Sequence, residues 1–285
     1  MLPDEISYSC IRYIAERRCP DGGYCFYRLN EPNPADTFFA LDTLRLLGAM
    51  PDDPDTACWL LERQGADGRY HSLESSTYVL SSLAALHLRP ERDPLPWLSS
   101  VVPSARGGGT RPVESTSLLS RPYFFVRLCQ SLGVPLPPTV RTAFIDAVRA
   151  CRHPDGGYGG GPSTLVETYH ALAISAALGN LHPDTRTFLA RCVHPIYGYL
   201  NLPGAVPAYL EHVAAGVGVA RLLGVPPADG AGACVRRCQR ETGGFARSVF
   251  GGTATLKYTW HAVTTLDALE CSGKTLSDRT HAETS

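Results

Sequence analysis

Residues 151–179, CRHPDGGYGGGPSTLVETYHALAISAALG, contain a glycine-rich turn followed by a helical pattern that closes on Gly179. Asp-Gly and Gly-Gly pairs end a preceding helix, because glycine readily adopts positive φ angles. The preceding stretch VRTAFIDAVRACR (140–152) has the apolar spacing of another helix. One unit of this chain is therefore a helix, a glycine turn, an extended link and a second helix.

The same unit recurs along the whole chain. Its aromatic-rich second helix is predicted six times, over 37–48, 77–87, 123–133, 168–179, 214–224 and 259–270. The closing residues Gly48, His87, Gly133, Gly179, Gly224 and Glu270 lie 39 to 46 residues apart. Glycine turns precede most copies, but the third copy retains only ARGGGTRP (105–112). This period predicts a stacked or closed repeat architecture with one helix pair per repeat.

An aromatic residue follows each clear glycine turn, and we expect it to pack between neighbouring repeats. These residues are Tyr24, Tyr70, Tyr158, Tyr199 and Phe245.

Length and composition favour one domain. The chain has 285 residues, of which 44% are hydrophobic, and the unbroken repeat predicts a single domain over 1–275 with a polar tail over 276–285. The net charge of −1 gives no case for a nucleic-acid partner. No apolar run reaches the length of a membrane span. Residues 1–10, MLPDEISYSC, lack the regions of a signal peptide, so a cytoplasmic location is predicted.

Cysteine usage agrees with a reducing compartment. The chain has ten cysteines, too few for a disulfide scaffold of this length. Several lie in or beside apolar helical pattern, where a thiol behaves as a small buried hydrophobe: Cys10, Cys58, Cys129, Cys234 and Cys271.

Two segments resemble a known family. Residues 151–179 resemble the repeat of protein prenyltransferase β subunits and, more loosely, the repeats of squalene and other terpenoid cyclases. RCQRETGGFAR (237–247) with YTWHAVTTLDAL (258–269) resembles the last repeat of the same β subunits. The resemblance implies an all-α fold, an (α/α)6 toroid in which six inner helices form a barrel inside six outer ones. It also implies a central cavity that opens at one end.

The repeat register places one polar residue near the start of each inner helix. These residues are Asp36, Ser75, Arg121, Glu167, His212 and Tyr258. Two interpretations are open. They are residues of the first helical turn, where acids and hydroxyls are favoured, or they form a polar collar around an aromatic cavity. The collar is favoured because arginine, histidine and tyrosine are poor helix caps.

Aromatic side chains and histidines occupy the next layer along the inner helices. The predicted substrate-binding residues are Phe39, Tyr78, Arg121, Tyr123, Phe124, His170, Lys257, Tyr258 and Trp260, and Phe38 and Tyr169 belong to the same stretches. Carbocations accept no hydrogen bonds, so enzymes guide them with the π faces of such rings. The alternative is that half of these rings point outward and only pack helix against helix.

A zinc site is implied by the resemblance but is altered here. Protein prenyltransferases hold zinc with an Asp and a Cys at the start of the fifth inner helix and a His in the sixth. The histidine position matches His261, whereas the other two positions fall on Tyr209 and Glu211, or on Pro207 and Tyr209 if the register slips by two. His261, Glu211 and His212 remain a candidate zinc site with nitrogen and oxygen ligands. No cofactor is certain, and both zinc and magnesium stay open.

The acid and diphosphate motifs of the relatives are also missing. The family's diphosphate-binding positions read Thr164, Pro203 and Val206. The acidic stretch PDDPDTA (51–57) has the wrong order for the D-x-D-D motif of cyclases and falls in a turn between repeats. The candidate catalytic residues are therefore Glu167, Glu211, Asp36 and His212 of the collar. Asp42 and Asp267 are further charges within otherwise apolar helices.

Three function classes follow. The leading hypothesis is an isoprenoid-processing enzyme that runs a terpene cyclase- or synthase-type reaction on a polyprenyl substrate. The alternatives are a prenyltransferase with an altered zinc site and a toroid that binds a lipid or a protein without catalysis. The expected partner is a small isoprenoid molecule, and no motif for a partner subunit is evident.

Overall fold

The computed structural model describes residues 3–27, 30–100, 117–182 and 184–282. In these residues twelve helices alternate between an inner and an outer layer. The inner helices are α2 (Pro34–Leu46), α4 (Leu73–Ala85), α6 (Ser120–Leu132), α8 (Leu165–Ala177), α10 (Leu210–Leu223) and α12 (Leu256–Ala282). The outer helices are α1 (Asp4–Ala15), α3 (Pro54–Leu61), α5 (Leu95–Ser100), α7 (Pro138–Ala150), α9 (Thr185–Cys192) and α11 (Gly230–Arg237).

The inner helices form a closed ring. Each one packs against the next in chain order, and α12 packs against α2. Outer helices α3, α7, α9 and α11 pack against inner helices from outside. A short antiparallel pair, β1 (Val193–His194) with β2 (Gly198–Tyr199), is the one small sheet of the described residues. The predicted all-α (α/α)6 toroid is confirmed.

The predicted closing residues end the inner helices as expected, with one exception. Gly48, Gly133, Gly179 and Gly224 have φ angles between 64° and 68°, and His87 has 57°. This left-handed geometry ends a helix and suits glycine because it has no Cβ. Glu270 does not end α12, which continues without a break at residue 275 as far as Ala282. The apolar pattern that ends near Glu270 therefore does not mark the helix end.

The inner helices begin three or four residues earlier than the aromatic patterns indicate. Asn33, Ser72 and Thr164 precede α2, α4 and α8, and their side chains accept hydrogen bonds from backbone amides of the first turn. Such N-caps satisfy amides that have no partner within the helix. Polar first turns are therefore part of the helices and lie ahead of the apolar pattern.

The aromatic residues after the glycine turns are buried between repeats, as predicted. Their backbone amides make a recurring contact with the inner helix that follows. The amides of Tyr24, Tyr158 and Phe245 donate to the hydroxyls of Thr37, Thr168 and Thr259 at 3.0, 3.0 and 3.1 Å. The contact ties each turn to an inner helix and so fixes the start of that helix. The degenerate turn at 105–112 lies outside the described residues.

The first outer helix closes the ring against the last repeat. The Tyr13 hydroxyl donates to the carbonyl oxygen of Ala254 at 2.7 Å, and Gln239 Nε2 donates to Ser9 Oγ at 3.0 Å. The Tyr13 ring also lies where a Cβ on Gly244 would be. Residues more than 200 positions apart therefore form one wall of the ring.

Two further expectations concern exposure. Cys10, Cys129 and Cys234 are buried as expected, whereas the expectation is wrong for Cys58 and Cys271, which are exposed. Within the described ranges no helix combines the length and the apolar character that a membrane crossing requires.

Candidate functional site

The predicted collar residues all lie at the start of an inner helix, and we call this end of the ring the rim. Asp36, Ser75, Glu167, His212 and Tyr258 are third residues of their helices, and Arg121 is a second residue. Capping hydrogen bonds reach most of these positions. The backbone amides of Asp36, Glu167 and Tyr258 donate to cap side chains at 2.8, 3.2 and 3.1 Å. The positions themselves are therefore set by helix capping.

Three rim side chains also hold neighbouring backbone in place. Asp36 Oδ2 accepts from the amide of Phe26 at 3.0 Å, and Glu167 Oε1 accepts from the amide of Leu118 at 3.1 Å. His212 Nδ1 accepts from the amide of Tyr209 at 3.3 Å, so this histidine, at the third helical position, completes a capping box with the N-cap residue Tyr209. These contacts give all three residues a structural role. Their assignment as catalytic residues stays a prediction.

Glu211 differs from the other rim acids. Its Oε1 accepts from Arg247 Nε and Nη2 at 2.7 and 2.6 Å, while its Oε2 is buried with no hydrogen-bond partner. Burial is the largest single influence on this carboxyl and raises its pKa, but the hydrogen bonds and charge of Arg247, a backbone hydrogen bond and the nearby His212 together outweigh burial and hold the pKa below its usual range. Arg247 in turn stacks on the ring of Tyr209, 4.1 Å from its centroid. Glu211 is therefore an ionised, half-buried acid at the rim.

The remaining predicted rim residues are less constrained. Arg121 and Lys257 are exposed. Tyr258 is half-buried, and burial together with the nearby Glu211 raises its pKa. As the third residue of α12, Tyr258 belongs to the rim.

Aromatic rings of the inner helices form a continuous band, which we call the aromatic band. It comprises Phe38, Phe39, Tyr78, Tyr123, Phe124, Tyr169, His170, Trp260 and His261. Phe38 lies 5.5 Å from Tyr78 and 5.8 Å from Trp260, measured between ring centroids. Since these two partners belong to the helices on either side of α2, Phe38 lies on the inner wall of the ring. The predicted aromatic lining thus comes from five of the six inner helices.

The sixth, α10, supplies small residues instead. A Cβ on Gly218 would meet the ring of Tyr169, and a Cβ on Gly216 would meet the ring of Tyr199. The two tyrosines approach α10 from different sides, Tyr169 from the neighbouring inner helix and Tyr199 from the turn at β2. Glycine at these positions therefore lets aromatic rings lie directly on the helix backbone.

Two histidines of the band are electrically neutral near pH 7. Burial lowers the pKa of His170 to about 4, and burial with the nearby Lys257 lowers that of His261 to about 4. His170 stacks on Tyr123 with ring centroids 4.4 Å apart, and its Nδ1 has no hydrogen-bond partner. His170 is therefore an uncharged imidazole with an unpaired nitrogen inside the ring.

The candidate zinc ligands do not come together as a metal site. Over the residues that the structure describes, no three His, Cys, Asp or Glu side chains come together as a metal site requires. Glu211 is bound by Arg247, and Tyr209 fills the place of an expected ligand. These residues do not fit a zinc ion.

Two charged residues inside the ring were not among the predicted site residues. Asp42 Oδ2 accepts from Trp260 Nε1 at 2.7 Å, and Asp42 Oδ1 pairs with Arg45 at 2.7 Å. Arg127 lies one helical turn after Tyr123. Its pKa is raised, chiefly by Tyr123 and to a smaller extent by Tyr169 and Asp42, whereas burial acts to lower it. The signal in the sequence is the lone arginine within the apolar stretch YFFVRLC (123–129).

A separate cavity lies outside the ring. Its volume is about 180 Å³, and Val148, Tyr158 and Leu178 are among its lining residues. These residues belong to α7, to its glycine turn and to the end of α8. The cavity is therefore not part of the aromatic band.

Comparisons with known proteins agree with this architecture. The sequence profile of the prenyltransferase alpha-alpha toroid domain matches residues 4–94 and 112–284. Protein geranylgeranyltransferase-I of Candida albicans, solved in complex with GGPP, is similar in structure with a TM-score of 0.61 and 13% identity, over 82% of this chain and 83% of that one. A protein from Actinoplanes is similar with a TM-score of 0.56 and 16% identity, over 95% of this chain and 100% of its own. A search of curated proteins gives no match.

Proposed function

Because the chain belongs to the family of prenyltransferase alpha-alpha toroid domains, we propose that it is an enzyme that processes an isoprenoid substrate within the ring. The observation that carries this proposal is the aromatic band, which lines the inner wall from five of the six inner helices. A polyprenyl chain is apolar and unsaturated, so it is complementary to a wall of ring faces.

The reaction that this wall supports best is a cyclase- or synthase-type reaction through carbocations. Each ring that faces a cation stabilises it by about 0.5–2 kcal/mol, and several rings are available along the band. The neutral His170 supplies a proton acceptor at the same level. It removes a proton from the carbon next to the cation, the C–H electron pair becomes a double bond, and the proton resides on the imidazole.

Prenyl transfer is the competing reaction class, since the geranylgeranyltransferase named above shares the fold. Cyclisation is preferred because the rim residues do not fit the metal site that the family resemblance implies. A transferase also needs an acceptor, and a cyclase does not. Product formation with and without an added acceptor therefore distinguishes the two reaction classes.

The test is an incubation of the protein with geranyl, farnesyl and geranylgeranyl diphosphate and with squalene, each with and without Zn²⁺ and Mg²⁺ and with and without an added thiol acceptor. Released pyrophosphate and extracted products are measured, the latter by mass spectrometry. We expect a new hydrocarbon or alcohol without any added acceptor. A product that forms only when a thiol or another acceptor is supplied would instead establish transfer. No product under any condition would overturn the proposal in favour of a binding toroid.

Replacing Phe38 by leucine should lower kcat about tenfold, because one cation-stabilising ring face is lost. The matched control is Phe125→Leu. Phe125 lies on inner helix α6 but packs outward on Phe144, with ring centroids 5.9 Å apart. We expect the control to cost stability and to leave kcat within about twofold of the unchanged protein. Equal kcat losses in both variants would argue against a catalytic role for the band.

A further inference from the structure

Two outer helices begin with nearly the same sequence. Residues 53–56 read DPDT where α3 begins, and residues 182–185 read HPDT where α9 begins. The proline, the second acidic residue and the threonine are shared, and only the first residue differs. The segment at α9 therefore has His182 at the position that Asp53 occupies at α3.

The two segments also hold equivalent places in the fold. A Cβ on Gly22 would meet the backbone carbonyl of Asp55, and a Cβ on Gly156 would meet that of Asp184. Both glycines belong to the turn motif PDGGY, so the same turn packs on the same residue of each segment. The surroundings of the differing residue can therefore be compared side chain by side chain.

At α3 the Asp53 carboxylate joins the groups around it. Arg18 Nη2 and Nε donate to its two oxygens at 2.7 and 2.8 Å, and Thr56 Oγ1 donates to Oδ2 at 2.6 Å. Arg18 Nη2 also pairs with Asp55 at 2.8 Å. Asp53 is only 8% exposed, so it is a buried anion with both oxygens hydrogen-bonded, as buried polar groups normally are.

At α9 the same donors are present, but His182 supplies no carboxylate. Arg152 precedes its glycine turn as Arg18 does at α3, and it pairs with Asp184. The hydroxyl of Thr185 is buried and has no hydrogen-bond partner within the described residues. The donors that bind a carboxylate at α3 therefore have no equivalent acceptor from the protein at α9.

The cavity of about 180 Å³ outside the ring lies at this place. Arg152, Tyr158 and His182 line it together. Tyr158 is fully buried and lies near Thr185, yet its hydroxyl has no partner at normal hydrogen-bond geometry in the part of the chain that the structure describes. The other lining residues are Ile145, Val148, Arg149, Ser175, Leu178 and Asn180.

Size and polarity of the cavity define a class of ligand. A cavity of about 150 Å³ holds a benzene ring, so this one accommodates such a ring with a small polar group. Val148 and Leu178 offer apolar contacts to the ring. Arg152, Tyr158 and His182 offer N–H and O–H donors, and donors of this kind form short, charge-assisted hydrogen bonds to a carboxylate.

We propose that this cavity binds a small amphipathic monocarboxylate, whose carboxylate takes the role at α9 that Asp53 has at α3. Arg152, Tyr158 and His182 bind the carboxylate, and the apolar body of the ligand packs on the aliphatic lining residues. The site lies outside the aromatic band, so this proposal is independent of the isoprenoid reaction.

The test is a calorimetric titration of the full chain with sodium benzoate, with its neutral counterpart benzamide and with sodium acetate, which lacks the ring. The variants are Arg152→Met and His182→Asp, the second of which gives α9 the DPDT sequence of α3. His71→Asp, at an exposed position outside the cavity, is the matched control. Melting temperatures are measured for every variant without ligand.

We expect benzoate to bind at least about tenfold more tightly than benzamide or acetate. Arg152→Met should weaken benzoate binding about tenfold or more, because a charge-assisted partner is lost. His182→Asp should weaken it as much, because the introduced carboxylate occupies the donors and repels the ligand. The same variant should raise the melting temperature by about 2–4 °C, as a new helix cap does. The control should match the unchanged protein.

Equal affinity for benzoate and benzamide would overturn the proposal, since the cavity would then not recognise a carboxylate. Equal affinity for acetate would refute the assigned ligand class. Absence of benzoate binding at millimolar concentration would mean that water alone satisfies the buried hydroxyls. If Arg152→Met does not fold, His182→Asp decides, because it keeps the guanidinium, and benzoate binding that it leaves unchanged would refute the site. None of these outcomes depends on turnover.

Discussion

Replacing Gly243 by alanine should destabilise the protein by about 3 kcal/mol or more. Gly243 has a φ angle of 92°, which disfavours any residue with a Cβ. A Cβ there would also overlap the backbone carbonyl of Ser9 on α1, which cannot move as a flexible side chain does. The substitution therefore disrupts the packing of α1 against the last repeat. Urea unfolding followed by circular dichroism measures the loss.

Gly224→Ala is the matched control. Gly224 also has a positive φ angle, 64°, but nothing lies within 4 Å of a Cβ built on it. We expect it to cost only the left-handed conformation, about 1–2 kcal/mol. If both variants lose the same free energy of unfolding, the approach of the last repeat to α1 contributes nothing beyond backbone geometry.

Acidification from pH 6.5 to pH 4 should destabilise the protein by up to about 3 kcal/mol for each of His170 and His261. Their pKa values are near 4 in the fold and near 6.5 when unfolded. The unfolded chain therefore binds more protons within this window. The stabilisation is complete above pH 6.5 and is lost as the pH falls toward 4. Unfolding free energies measured at half-unit steps of pH give this slope.

His170→Phe keeps a ring against Tyr123 and removes the titrating group, so the slope should fall. His71→Gln, at an exposed position, is the control and should leave the slope of stability against pH unchanged. His212, whose pKa burial also lowers, adds to the slope in the same sense. Carboxyls with lowered pKa values, such as Asp53 and Glu211, act mainly below pH 4.5. A slope unchanged by His170→Phe would mean that this imidazole is not desolvated.

The sequence predicts the toroid and its aromatic band well, because both depend on local patterns that repeat. A glycine that ends a helix and an aromatic side chain at a fixed position of the repeat each depend only on a few neighbouring residues of the sequence. The roles of the polar rim residues do not follow from the sequence in the same way. Polar residues at a helix start serve capping and catalysis with the same side chains, and only the partners of Asp36, Glu167 and His212 show that these side chains bind backbone amides.

Arg127 illustrates what local pattern does not contain. Asp42, one of the groups that raise its pKa, lies 85 positions earlier and is itself bound by Arg45 and Trp260. Whether a lone arginine in an apolar helix points outward or inward depends on how the ring closes. That closure is a property of all six inner helices together.

The contact between α1 and the last repeat has a consequence for how the protein is made. On the ribosome α1 emerges more than 200 residues before its partners Gln239, Gly243 and Ala254. At 5–20 residues per second this delay is about 10–50 s. Cys10, Tyr13 and Ile14, fully buried in the finished ring, spend that interval without their final neighbours. During that interval the apolar face of α1 lacks the surface that buries it in the finished ring.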